Sequence, residues 1–223
     1  MSMKWEDDLI RDIRVNTNHD DREDEYALIE KYSEIYPNLL KDKTVFNRYD
    51  GRECTECNKE SLIEKFDLVK DKCRAILEIG VCRNNIDSFV YALLSRKKKE
   101  TIYVGVDMND KTYLNDLENN IFTIQEDSSN YESIITKCKE FGVEEFDFIF
   151  IDGLHTVNQL LKDWEYTKNL SDYGIVGFHD TSHHAGPYMF INHVDTKKWE
   201  VIVNDCPDDY GIGYVTKKGN YAC

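Results

Sequence analysis

A chain of 223 residues has room for one domain of ordinary size plus an extension, or for two small domains. Hydrophobic residues make up 41% of it, enough for a real core, while a formal net charge of -15 repels phosphate backbones and anionic lipid heads. The charged opening Met1–Ile10 lacks the apolar run of a signal peptide or anchor, and no later stretch is long enough to span a bilayer. The expectation is a cytoplasmic protein with a small-molecule substrate and neither a nucleic-acid nor a membrane partner.

Residues 1–72 read as an acidic, mainly helical extension or cap, and 73–223 as the catalytic domain. An acidic run covers Asp20 to Glu25. Leu28, Ile29, Tyr32, Ile35 and Tyr36 then place one apolar face on a helix within Tyr26–Leu40, which Pro37 interrupts. Asn47–Asn58 is polar and turn-rich, and Ser61–Cys73 again has helical spacing. The extension is a candidate cover for a pocket or a dimer surface, and a homo-oligomer is left open.

Seven cysteines, odd in number and widely scattered, argue against a disulfide framework. Cys54 and Cys57 form a CxxC pair, but zinc sites want a second pair, so two reduced thiols in a turn are expected.

From Arg74 onward short apolar runs alternate with amphipathic stretches. The runs Ala75–Ile79, Ile102–Val106, Ile121–Ile124, Phe146–Ile151 and Ile175–Phe178 have the composition of buried strands. Helices are expected over Ile86–Arg96, Lys111–Glu118, Tyr131–Phe141 and Val157–Asn169. Alternation at this spacing predicts an α/β fold with a doubly wound, mostly parallel sheet. Trp199–Val203 and Ile212–Thr216 are joined too closely for a crossover helix, so the sheet should end in an antiparallel hairpin.

Ligands of open α/β sheets bind beyond the carboxyl ends of the strands. Those ends carry Glu78-Ile79-Gly80-Val81, Asp107, Glu126-Asp127-Ser128, Asp152-Gly153-Leu154-His155 and His179-Asp180, polar groups at one edge. Asp107 is placed to accept both hydroxyl hydrogens of a ribose, or else to cap the segment near Asn109. Asp127 and Ser128 are candidates for an adenine edge, or for caps of the helix starting near Tyr131.

Leu77-Glu78-Ile79-Gly80, Val106-Asp107, Asp127-Ser128 and Phe146–Gly153 resemble, in order, the motifs of class I S-adenosylmethionine (SAM) dependent methyltransferases. Ile151-Asp152-Gly153-Leu154-His155 with Asp163, and Gly174 through His179-Asp180, are similar to the small-molecule O-methyltransferase branch. Macrolide-sugar and, more distantly, catechol O-methyltransferases look similar. The resemblance spans about residues 74 to 216 and implies a Rossmann-like methyltransferase fold, with SAM against Glu78, Gly80, Val81, Asp107, Asp127, Ser128 and Asp152. It also implies a divalent ion at Asp152 and Asp180, with His179 as a third candidate ligand. Because imidazole is softer than Mg²⁺ prefers, Mn²⁺ or another transition ion is an alternative. His155 is the candidate general base, since an imidazole suits proton removal near neutral pH, and Asp152 shares the catalytic role. Asp163 is expected to orient a neighbour. His183 and His184 are expected in a loop over the pocket mouth, solvated as adjacent loop histidines usually are. Tyr188, Phe190, Trp199 and Tyr210 read as core or lid.

One departure from the pattern is a first loop with Gly80 alone, followed by Arg83, Asn84 and Asn85. It motivates a rival reading, a binding or regulatory protein on a degenerate methyltransferase fold. A metal-dependent hydrolase using Asp152, His155, His179 and Asp180 is a further rival, but leaves Asp107, Asp127 and Ser128 without a role. A nicotinamide enzyme is disfavoured by the missing G-x-G-x-x-G and by the closing hairpin.

Overall fold

The computed structural model describes residues 54–82, 86, 88–203, 205–206 and 209–219. The helix expected within Tyr26–Leu40, the acidic run before it and Arg83–Asn85 lie outside the described residues. Seven strands form one sheet: β1 (Ala75–Ile79), β2 (Ile102–Asp107), β3 (Ile121–Gln125), β4 (Phe146–Ile151), β5 (Leu170–His179), β6 (Trp199–Ile202) and β7 (Ile212–Lys217). Their spatial order is β3-β2-β1-β4-β5-β7-β6. The pairs β1–β2, β1–β4, β2–β3 and β4–β5 are parallel, whereas β7 runs antiparallel to β5 and β6. This is the doubly wound sheet with an antiparallel hairpin that the sequence pattern predicts.

Successive strand side chains point to opposite faces, and both faces here are covered. Leu77, Ile79, Ile149 and Ile151 share one core with α3 (Tyr131–Glu140), α4 (Val157–Asp163) and α5 (Ala185–His193), through Ile134, Leu160 and Phe190. Ile76, Phe148 and Phe150 enter the other, with α1 (Glu56–Val69) and α2 (Phe89–Arg96), through Leu62, Phe66 and Phe89. Leu62, Phe66 and Val69, four and three residues apart, line up as one buried stripe of α1. Thr55 caps that helix by accepting from the Asn58 amide at 3.3 Å. Each large apolar side chain so buried contributes roughly 1.5–3 kcal/mol.

Three expectations about elements are corrected. Lys111–Glu118 is not a helix but two short 3₁₀ turns, Thr112–Leu114 and Leu117–Asn119. Asp110 accepts from the Thr112 amide at 2.8 Å and Asp116 from the Asn119 amide at 3.2 Å. Short acidic side chains bonding to nearby backbone offer the chain an alternative to the α-helical ladder. The helix expected over Val157–Asn169 is α-helical only to Asp163 and tightens to 3₁₀ over Trp164–Asn169. The loop expected after His184 is instead α5. Pro187 sits in its first turn, where an amide hydrogen has no intrahelical partner to lose.

Candidate functional site

A cavity of about 640 Å³ opens at the carboxyl ends of β1, β2, β3 and β4. It is lined by Gly80, Val81, Asp107, Asp127, Ser128 and Asp152, all anticipated from sequence, and also by Met108, Asn109, Leu154 and Gln159. Gln159 had no motif to mark it. It lies in the first turn of α4, its amide capped by Thr156 Oγ1 at 3.1 Å.

Gly80 is a steric requirement. Its φ is +81°, and a Cβ there would lie 2.2 Å from the Asp152 carbonyl oxygen. The Asp152 amide in turn donates to the Ile79 carbonyl at 2.8 Å, and the Gly80 amide to the Val106 carbonyl at 2.9 Å. The loops after β1 and β4 are thereby held against one another, and only glycine permits the approach.

Asp107 organises the β2 end. Its Oδ2 accepts from the Val81 amide at 3.0 Å, and its Oδ1 from the Asn109 amide at 2.7 Å. Oδ1 also accepts from Asn109 Nδ2 at 3.2 Å, and Lys111 Nζ lies 3.6 Å from Oδ2, the oxygen that keeps acceptor capacity for a ligand hydroxyl. Asp127 accepts from the Ser129 amide at 2.8 Å, an Asx turn, and backbone bonding at Ser129 holds its carboxyl below the usual range. Ser128 Oγ accepts from Gln159 Nε2 at 2.8 Å, and the same amide donates to Asp163 Oδ1 at 3.0 Å. Asp163 is fully buried, and burial pushes its carboxyl up to about 7 against the pull of Ser128 and Gln159. It orients Gln159 and Ser128 from behind the cavity, the neighbour-orienting role expected of it.

Glu78 does not line the cavity. It is buried, accepts from the Tyr103 hydroxyl at 2.7 Å, and burial pushes its carboxyl up to about 8. Burial thus favours its neutral acid form.

Asp152 reaches from the cavity into a cluster of histidines. His179 Nδ1 lies 2.9 Å and His155 Nε2 3.3 Å from Asp152 Oδ1. Asp180 Oδ1 is 3.5 Å from His179 Nδ1, and Asp180 Oδ2 is 3.1 Å from His155 Nε2 and 3.6 Å from His184 Nε2. Burial alone would raise the Asp152 carboxyl, but the His179 charge and hydrogen bonds from His155 and His179 hold it at about 2. Burial alone would lower His179, yet Asp152 and Asp180 lift it to about 9. Asp180 has a φ of 61°, a backbone that side chains other than Gly, Asn and Asp rarely adopt and that clusters at functional positions.

His183 and His184 are both buried, correcting the expectation of a solvated loop. His184 stacks on His155 with ring centroids 4.5 Å apart, and His183 packs on Tyr210 at 4.8 Å. The back wall comes from α1. Asn58, wholly buried, places Oδ1 3.3 Å from His179 Nε2. One residue earlier, Cys57 is disulfide-bonded to Cys206. That corrects the expectation of two reduced thiols in a turn. The chain's scattered cysteines gave no sign of a partner 149 residues away, which only the fold brings near.

Asp152, His179 and Asp180 present their donor atoms within 4.8 Å of one another, a set that fits a divalent cation. Among the described residues no helix is long and apolar enough to cross a membrane.

No protein-family model matches the chain, and no curated protein sequence matches it. Solved structures match its shape. MycE, a methyltransferase of the mycinamycin biosynthetic pathway solved with Mg, SAH and mycinamycin VI, superposes with a TM-score of 0.54 at 16% identity. The match covers 73% of this chain, which spans only 50% of MycE. CalS11, the TDP-rhamnose 3'-O-methyltransferase of calicheamicin biosynthesis, gives a TM-score of 0.56 at 12% identity, covering 95% of this chain and 91% of that one. A putative O-methyltransferase from Klebsiella pneumoniae gives 0.55 at 11% identity, covering 86% and 95%. At such identities the shared property is the fold alone, a Rossmann-like sheet ending in an antiparallel hairpin.

Proposed function

We propose that the protein is a SAM-dependent methyltransferase that transfers the methyl group to a hydroxyl of a small molecule, with a divalent cation assisting. The observation that carries this reading is the position of Asp152. The residue lines the cavity at the glycine turn, and its carboxylate bonds the histidines of the cation-competent cluster. A cofactor in the cavity and an ion in the cluster would therefore meet at one residue. The solved relatives named above include one with SAH and Mg bound, which supports the same pairing.

In this reading Asp107 accepts the ribose hydroxyls, the Ser128 region meets the adenine edge, and the backbone beside Gly80 leaves room for the amino-acid part. The bound cofactor supplies an electrophilic methyl, and an ion held by Asp152, His179 and Asp180 supplies positive charge that lowers a hydroxyl pKa. The chain's own work is alignment and exclusion of water. Asp152 and Asp180 hold the His155 ring by accepting from its Nε2–H, which leaves Nδ1, without a hydrogen-bond partner among the described residues, as the basic nitrogen that takes the hydroxyl proton.

Calorimetric titration with SAM and SAH, each with and without Mg²⁺ or Mn²⁺, tests the reading. Micromolar binding that tightens with the ion is the expected result. Absence of heat from folded protein under every condition would overturn it. An SAH-release assay against sugar and phenol acceptors then tests the base, since His155→Gln should lower kcat at least 100-fold with little change in SAH affinity.

A further inference from the structure

We propose that Asp180 bridges two cation seats, and that the second takes a transition-metal dication between His155 Nε2, His184 Nε2 and Asp180 Oδ2. The two oxygens of Asp180 face different partners. Oδ1 lies 3.5 Å from His179 Nδ1, on the side shared with Asp152. Oδ2 lies 3.1 Å from His155 Nε2 and 3.6 Å from His184 Nε2. All three donor atoms of this second group fall within 4.8 Å of one another.

The spacing suits an ion. Nitrogen and oxygen ligands bound at about 2.0–2.2 Å stand about 2.9–3.5 Å from each other, depending on whether the geometry is octahedral or tetrahedral. The separations of 3.1 and 3.6 Å from Asp180 Oδ2 lie close to that window, and because the two rings stack 4.5 Å apart, one must turn out of the stack for both lone pairs to meet at an ion. The donor chemistry separates the seats. Two imidazoles and one carboxylate oxygen favour Zn²⁺, Co²⁺ or Mn²⁺ over Mg²⁺, whereas the first seat has two carboxylates and one imidazole. A carboxylate offering one oxygen to each of two ions is the arrangement of two-metal sites, whose ions lie about 3.5–4 Å apart. Asp180 carries this carboxylate on a backbone with a φ of 61°.

One consequence concerns the proposed base. An ion on His155 Nε2 leaves the neutral ring's one proton on Nδ1, so an ion held there and proton removal by Nδ1 exclude each other. This inference rests on the proposed function only for that consequence. The seats themselves stand on geometry.

The test is titration of the metal-free full-length protein with Co²⁺ alone, read by visible absorption and by equilibrium dialysis, beside the SAH titration. Two Co²⁺ per wild-type chain and one in each of His184→Ala and His184→Gln is the expected result. One ion or none in wild type, or two retained in both variants, overturns the second seat. Two ions without SAH binding would support the seats while overturning the methyltransferase reading. If circular dichroism shows the variants unfolded, the wild type loaded with two equivalents of Mn²⁺ decides. A spin-coupled electron paramagnetic resonance signal supports the bridge, and an isolated-ion spectrum overturns it.

Discussion

Replacing Asp163 by asparagine should remove a pH-dependent penalty that the fold imposes on itself. The carboxyl is fully buried on α4, and among the described residues its Oδ2 has no hydrogen-bond partner. Burial lifts it from 3.8 to about 7. Below about pH 4 the acid is protonated in both the folded and the unfolded chain and adds no pH dependence. Between about 4 and about 7 the unfolded chain releases a proton that the folded chain retains, so stability falls as pH rises. At about 1.4 kcal/mol per unit, three units amount to about 4 kcal/mol, a ceiling because the surroundings relax around a charge. The carboxamide of Asp163→Asn would mimic the neutral acid in shape and still accept from Gln159. Urea denaturation at pH 4, 6 and 8 reads the difference between wild type and Asp163→Asn. The variant should match or slightly trail wild type at pH 4 and lead it by up to about 4 kcal/mol at pH 8. Comparing the two proteins cancels Glu78, whose elevation to about 8 gives wild type a slope of the same sign. A flat difference, or one that grows toward acid, would refute the reasoning.

Other perturbations test separate links. Gly80→Ala puts a methyl 2.2 Å from the Asp152 carbonyl at a φ of +81°, so stability should fall by about 1–3 kcal/mol and SAH binding should be lost, as thermal melts and calorimetry would show. Asp107→Ala removes the acceptor for the Val81 amide and for the proposed ribose contact, and should weaken SAH binding about 10- to 100-fold in the same titration. Cys57→Ser opens a disulfide spanning 149 residues and should cost about 2–5 kcal/mol, with dithiothreitol lowering the wild-type Tm and leaving the variant's unchanged.

The strands of the sheet were legible because each is a short run of β-branched or aromatic residues bounded by polar ones. Phe146–Ile151, buried at every position, can do little else in a compact domain. The cavity residues were legible for a related reason, since polar groups at successive strand ends are brought together by the topology itself. What remained hidden depended on local chemistry or on distance. The run from Lys111 to Glu118 has an acceptable helical pattern, but the side chains of Asp110 and Asp116 bond the backbone first. Gly186-Pro187 reads as a loop because a proline in a helix's first turn and one between turns look the same in sequence. That ambiguity hid α5, and with it the burial of His183 and His184. Asn58 and Gln159 carry no motif, and their roles exist only because α1 and α4 pack beside the strand ends.

The Cys57–Cys206 bond also closes the polypeptide into a covalent ring. Strands β1 to β6 all lie on the arc between the two cysteines, and of the sheet only β7 lies beyond it. A single cut anywhere on that arc leaves the fragments tethered, so a nicked molecule would migrate as one species until a reductant is added. The ring also orders events during synthesis, because Cys206 follows six of the seven strands and the bond can form only after they have been made.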